Sequence, residues 1–168
     1  MKKIVAGLLL SVFSFTTLLF AGDLADIERF GDCRYCGMDR GKFAHSRMLI
    51  EYEDGSAVGL CSLHCLAVEL ATTLDRTPLA IRVGDYGSKE LIDAEQAVWV
   101  LGGSQSGVMT GRAKWAFATR GDAEKFQSLY GGALVGFEDA VKAAYEDMYQ
   151  DTRMIREKRK MKRKMQPK

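Results

Sequence analysis

Four cysteines, grouped in two closely spaced pairs, restrict what this chain can fold into. Cys33 and Cys36 form a C-x2-C step, 24 residues separate Cys36 from Cys61, and Cys61 and Cys65 form a C-x3-C step. A two-residue gap in a turn lets both sulfurs approach one ion, and a three-residue gap at a helix start places both on one side. We therefore expect a turn and a helix start to meet at a metal site.

The identity of the metal depends on the residue that follows the first pair. Four thiolates alone suit zinc or an iron–sulfur centre, whereas cysteine combined with methionine selects copper(I), because a thioether is a soft ligand. Met38 follows Cys36 and Gly37 directly and lies among charged residues, a poor setting for core packing. The sequence predicts a copper(I) site based on Cys36 and Met38, with zinc as the alternative.

Five further residues are candidate ligands of the same site. Cys33 and the pair Cys61 and Cys65 supply three more sulfurs, and a helix start favours thiolate at the second pair. His64 lies inside that pair, although adjacent helical positions diverge by about 100°. Met109 occupies a glycine-flanked loop in the second half of the chain.

Two other uses of the cysteines stay open. In an oxidising compartment they can form two disulfides, with three alternative pairings, and a thiol–disulfide redox role is a further alternative. No Ser/His/Asp set stands out, and His45 reads as a surface histidine, so we expect no enzymatic activity.

The N-terminus has the pattern of an export signal. Met1-Lys2-Lys3 precedes an uncharged apolar run over 4–20, and a cut after Ala21 would leave Gly22 first. A retained membrane anchor is the alternative, since the run approaches the roughly 17 residues that span a bilayer. We expect the protein in the periplasm or on the outer face of the cytoplasmic membrane.

Charge is strongly segregated along the chain. Residues 153–168 hold nine basic residues and one acidic residue, whereas residues 22–152 hold 13 basic and 21 acidic residues. The acidic body argues against a nucleic-acid partner. The basic tail is a solvated end of the chain or a contact for anionic lipid headgroups or an acidic partner. A third alternative is an auxiliary copper site formed by Met154, Met161 and Met165, which lie on one helix face.

Hydrophobic periodicity predicts a strand-rich α+β fold followed by a long helix, and the similar outline of the two halves suggests a duplication. The first half, with the metal site, covers 22–76, the second 77–137, and the last helix and basic tail 138–168. The expected strands are 47–52, 56–60, 79–83, 98–101, 114–118 and 133–137. A polar lead-in is expected over 22–32. The expected helices run from Ser62 to near Asp75, over 122–129, and onward from Glu138. Leu74 should lie on the apolar face of the first helix, Thr119 should cap the second, and Tyr145 and Thr152 of the last should pack on the body.

Several blocks of this sequence resemble the NosL family, the copper chaperones that assist nitrous oxide reductase. The resemblance extends over roughly residues 30 to 140 and is carried by these blocks: Cys33 to Met38, Asp54-Gly55, Val83-Gly84-Asp85-Tyr86, Leu91-Ile92-Asp93-Ala94, Gly107-Val108-Met109, Trp115-Ala116-Phe117 and Asp122-Ala123-Glu124-Lys125-Phe126.

This resemblance implies a periplasmic protein that binds copper(I) and passes it to a nitrous oxide reductase-like enzyme. It also implies two related ββαβ halves, a topology similar to that of organomercurial lyase. Cys36 and Met38 match the family's Cys-x-Met site, and Met109 matches a family methionine loop. The chain departs from the family's common pattern in lacking a lipid-bearing cysteine after the signal, in having the second cysteine pair, Cys61 and Cys65, and in carrying the basic tail.

Overall fold

The computed structural model describes residues 24–165. The predicted export signal and the cut after Ala21 lie outside this range. Within it, no helix combines the length and the apolar character needed to cross a membrane.

The first half contains a four-stranded antiparallel sheet with one helix. The short helix α1 (Ala25–Arg29) comes first, and the later elements are β1 (Met48–Tyr52), β2 (Ala57–Leu60), α2 (Leu63–Thr72), β3 (Pro78–Gly84) and β4 (Leu91–Asp93). The strand order is β2-β1-β3-β4. Ile50 of β1 faces Val58 of β2 and Ile81 of β3, which sets the register at the centre of the sheet.

The second half contains a three-stranded antiparallel sheet and two helices. Its elements are β5 (Val98–Leu101), β6 (Lys114–Phe117), α3 (Arg120–Tyr130), β7 (Ala133–Val135) and α4 (Phe137–Met165). The strand order is β6-β5-β7. Thr119 caps α3 as predicted, since its hydroxyl oxygen accepts a hydrogen bond from the Asp122 N–H.

The two halves share one topology, which confirms the predicted pair of ββαβ units. In each half the first strand is central, flanked by the second and by the strand that follows the helix. The sequence division at residue 76 differs from the division between the sheets. Because β3 pairs with β1, the first sheet continues to Asp93 and the second begins at Val98.

Several element ends also differ from the sequence prediction. Helix α1 replaces an expected irregular lead-in. Helix α2 ends at Thr72 rather than near Asp75, because Thr73 leaves the helical conformation while its hydroxyl donates to the Glu69 carbonyl at 2.7 Å. Leu74, expected on the apolar face of this helix, is therefore 87% exposed.

A buried ionic network fixes the chain around the first cysteine pair. The Asp26 carboxylate of α1 lies 2.6 Å from a guanidinium nitrogen of Arg40 and 2.9 Å from one of Arg47. Both arginine side chains are fully buried, and Arg40 also donates to the carbonyls of Met48 and Leu60. Buried charges need such partners, so α1 and the loop after Met38 are held against β1 and β2.

Candidate metal centre

The loop from Cys33 to Met38 is a closed turn. The Cys33 N–H donates to the Met38 carbonyl at 2.8 Å, and the Gly37 N–H donates to the Cys33 carbonyl at 2.9 Å. Gly37 has a φ of 69°, a left-handed conformation that favours glycine. The turn therefore holds the side chains of Cys33, Cys36 and Met38 on a short, fixed backbone.

Tyr35 ties this loop to α2. Its hydroxyl donates to the Glu69 carboxylate at 2.7 Å, and the same carboxylate accepts from the Tyr52 hydroxyl at 2.6 Å. Burial and this bond to Glu69 raise the pKa of Tyr52 to about 12. The two phenols satisfy a carboxylate that is only 3% exposed, so the loop keeps a fixed position beside the helix.

The second cysteine pair lies at the junction between β2 and α2, as predicted. Cys61 follows the last residue of β2 and Cys65 lies in the first turn of α2. Ser62 occupies the N-cap position, although its side chain makes no capping hydrogen bond. The sulfurs of Cys61 and Cys65 are 3.7 Å apart, so both point to one place.

All four cysteine sulfurs meet in one cluster. They lie within 4.8 Å of one another, and the sulfurs of Cys36 and Cys61 are 3.4 Å apart. All four are free thiols; Cys33, Cys61 and Cys65 are buried and Cys36 is half-buried. Sulfurs around one tetrahedral ion with metal–sulfur bonds of about 2.3 Å would be roughly 3.8 Å apart. The separations between the sulfurs therefore suit a single thiophilic ion bound among them.

The four cysteine thiols differ in pKa. The pKa of the Cys33 thiol lies far below its usual range, because the adjacent thiols of Cys36, Cys61 and Cys65 stabilise negative charge on its sulfur. The same contacts raise the pKa of Cys61 and Cys65, because a group that donates to a thiolate keeps its proton. Although Cys33 has the opposite effect, the other neighbouring thiols also lower the pKa of Cys36, so the thiolate form is favoured at the first pair rather than at the start of α2, where it was expected. A bound metal would displace the remaining protons.

The predicted thioethers adjoin this cluster on its open side. Cys36, Met38 and Met109 line a cavity of about 310 Å³, which α4 bounds on another side. Met109 has a φ of 61°. That left-handed conformation is uncommon for a residue with a long side chain, and such strain concentrates at functional sites. Cys36 is the residue that belongs to both the thiolate cluster and this cavity.

The histidines occupy other surroundings. His64 is not among the clustered ligand atoms; its Nδ1 lies 3.6 Å from Asp151 Oδ2 of α4, and burial lowers its pKa. His45 is half-buried rather than on the surface. Its ring centroid is 5.3 Å from that of Trp115 and 5.8 Å from that of Tyr86.

Sequence reasoning missed the acid that joins the two halves to α4. Asp151 is 3% exposed, and its Oδ1 accepts from the Gly111 N–H of the Met109 loop at 2.8 Å. Tyr145 and Thr152, expected to pack on the body, are exposed instead. Ala140 and Ala144 are small residues four positions apart, so they mark one face of α4 as suited to close packing. Asp151 lies further along the same face, and this spacing could have predicted its burial.

Two ββαβ halves with a cluster of four cysteines and a thioether-lined cavity define a metal-binding protein. The NosL family model matches residues 24–145, most of the chain, and this chain belongs to the NosL family. The resemblance inferred from the sequence blocks is thereby confirmed.

A solved structure agrees with this assignment. The chain is similar to the copper chaperone NosL from Shewanella denitrificans, with a TM-score of 0.50 and 26% sequence identity over 64% of this chain and 87% of that one. A comparison with curated protein sequences gave no significant match. Residues beyond 145, which include the last five turns of α4, lie outside the family match.

Proposed function

We propose that this protein is an exported copper(I) metallochaperone that delivers copper to nitrous oxide reductase or a similar periplasmic copper enzyme. The observation that carries the proposal is the position of Cys36. This half-buried thiol shares one cavity with the thioethers of Met38 and Met109. Membership of the NosL family and similarity to a copper chaperone support it.

The ligand chemistry favours copper(I) as the cargo. Thiolate and thioether sulfurs are soft donors that select copper(I), whereas zinc rarely accepts a thioether. Methionine side chains are also flexible, so a thioether can leave the ion as a ligand from the acceptor protein enters. Binding with such exchange is what a chaperone requires, and no catalysed reaction is involved.

Export and docking are parts of the same proposal. The apolar N-terminal segment is the export signal, which places the protein where periplasmic copper enzymes mature. The basic residues of the tail beyond Arg159 provide contact with anionic lipid headgroups at the membrane surface.

Structural zinc is the second candidate, and the sulfur cluster favours it specifically. Three of the four cysteines are buried, and separations of 3.4 and 3.7 Å are close to those around a tetrahedral ion. Closed four-thiolate sites of this kind commonly hold zinc for stability. In that case Cys33, Cys36, Cys61 and Cys65 would form a structural centre and the module would recruit partners.

Copper(I) titration of the full exported chain under reducing, oxygen-free conditions separates the two candidates. Competition with a chromogenic copper(I) chelator should reveal one tightly bound ion. Cys36→Ser and Met38→Leu should each weaken its affinity by about tenfold or more, by analogy with losses of metal-site partners. Met161→Leu is the matched control, because Met161 is 57% exposed on α4. Unchanged affinity in both site variants, or zinc retained through purification without copper uptake, would reject the chaperone assignment.

A further inference from the structure

The C-terminal part of α4 forms a wall of the thioether-lined cavity. Beyond Cys36, Met38 and Met109, the cavity is lined from this helix by Met154, Ile155, Lys158 and Arg159. These helical residues all lie past residue 145, so the family match assigns them no role.

Two hydrogen bonds fasten the helix on either side of Met154. Asp151 accepts from the Gly111 N–H at 2.8 Å, two residues after Met109. Arg159 donates to the Cys36 carbonyl at 3.3 Å. The segment 151–159 therefore bridges the two loops that carry the other sulfur ligands, and it covers the cavity between them.

Met154 is the methionine of this segment that faces the cavity. It follows Asp151 by three residues, so both lie on the same side of the helix. Met154 is half-buried, whereas Met161 and Met165 further along are 57% and 81% exposed. The cavity thus brings three thioethers from separate parts of the chain to one thiol.

We propose that Met154 is a third thioether ligand for copper(I), completing the site of Cys36, Met38 and Met109, and that the segment 151–159 covers the bound ion. This inference rests on the proposed copper(I) function of the same cavity. Polar contacts of Asp151 and Arg159 hold this segment of α4 in place. If the segment moves away, the Met154 thioether leaves the copper ion. A sulfur or nitrogen donor from the acceptor protein can then take its place without copper becoming free.

The test compares Met154→Leu with Met161→Leu in the full exported, reduced chain. Leucine conserves the volume of methionine but cannot bind copper, so both variants should unfold at nearly the wild-type temperature. Met154→Leu should weaken copper(I) binding by about tenfold, at least as much as the loss of an outer-shell partner. X-ray absorption should show one fewer sulfur neighbour, and Met161→Leu should match the wild type in both measurements.

The outcomes distinguish this inference from the function on which it rests. If Met154→Leu keeps the wild-type affinity and sulfur count while Cys36→Ser weakens binding, Met154 is not a ligand and only the inference fails. If Cys36→Ser and Met38→Leu also bind copper(I) like the wild type, the proposed function fails and the inference falls with it.

Discussion

The sulfur of Cys36 lies 3.4 Å from the sulfur of Cys61, although 24 residues and a β-hairpin separate the two positions. This contact joins the turn before β1 to the junction between β2 and α2. Cys36 therefore couples a buried group of thiols to a cavity on the surface. Substitutions in the group of thiols and substitutions in the cavity should therefore both alter metal binding.

Copper(I) should stabilise the fold through this contact. A ligand that binds only the native state raises the free energy of unfolding by about 2.7 kcal/mol when its concentration is 100 times Kd. We expect copper(I) to raise the melting temperature of the reduced wild-type protein, measured by circular dichroism. Cys36→Ser should show a much smaller rise, and an equal rise in both proteins would contradict the role of Cys36.

Replacing Met109 should separate copper binding from stability. Asparagine tolerates the left-handed conformation found at Met109 but offers no thioether. We expect Met109→Asn to weaken copper(I) affinity by about tenfold while the urea midpoint changes little. Lys89→Asn is the control: among the described residues Lys89 is the other non-glycine with positive φ, at 65°. Equal copper affinity in the two variants would refute the role of Met109.

Tyr52 and Tyr35 both donate a hydrogen bond to Glu69, but removing their hydroxyl groups should affect stability and copper binding differently. Hydrogen bonds to a charged group contribute about 1.5–3 kcal/mol, so Tyr52→Phe should lower the free energy of unfolding by that amount. Tyr35→Phe should lower it less, because Tyr35 is 40% exposed, but should also weaken copper(I) binding by releasing the cysteine loop. Urea denaturation and copper titration of both variants provide the check. Wild-type copper affinity in Tyr35→Phe would show that the loop holds its position without this bond.

The environment of His45 should make stability depend on pH. Burial lowers the pKa of His45, and the charge of Lys89 acts in the same direction. Because the folded-state pKa lies below the unfolded value near 6.5, the unfolded chain takes up the proton first. Stability is then fully present above about pH 6.5 and is lost as the pH falls toward the folded-state pKa.

Urea midpoints of the reduced, metal-free protein should therefore decrease on acidification through that window. His45→Phe keeps a ring beside Tyr86 and Trp115 and removes the titration, so its midpoint should decrease less. Identical pH profiles for the two proteins would show that His45 is protonated as easily in the folded state as in the unfolded chain.

Local patterns predicted much of this fold. Alternating β-formers around Asp54-Gly55 gave the hairpin of β1 and β2, and Thr119 marked the start of α3. The spacing of the cysteines predicted a common site because short-range geometry controls both pairs. The NosL blocks supplied the duplicated topology, which spacing alone only suggested.

Features that depend on distant contacts escaped prediction. Helix α1 is held by Asp26, whose partners Arg40 and Arg47 come much later in the chain. Asp151 is buried between the loop at Gly111, whose N–H donates to it, and His64 of α2. The charged end of α4 is helical to Met165, although charge and length favoured a frayed tail. Contacts with the two sulfur-bearing loops reach Arg159, and the helix continues beyond them as an exposed segment.

The duplicated topology also has a consequence for how the protein matures. Each half closes its own sheet through short connections, so the thiol cluster can assemble within the first half alone. The thioether cavity needs Met38 from one half, Met109 from the other and α4 laid across both. A partly folded chain would expose reactive thiols before the thioether-lined cavity proposed to bind copper had formed. Binding of copper(I) that depends on both Met38 and Met109 would therefore require the two halves and α4 to have assembled.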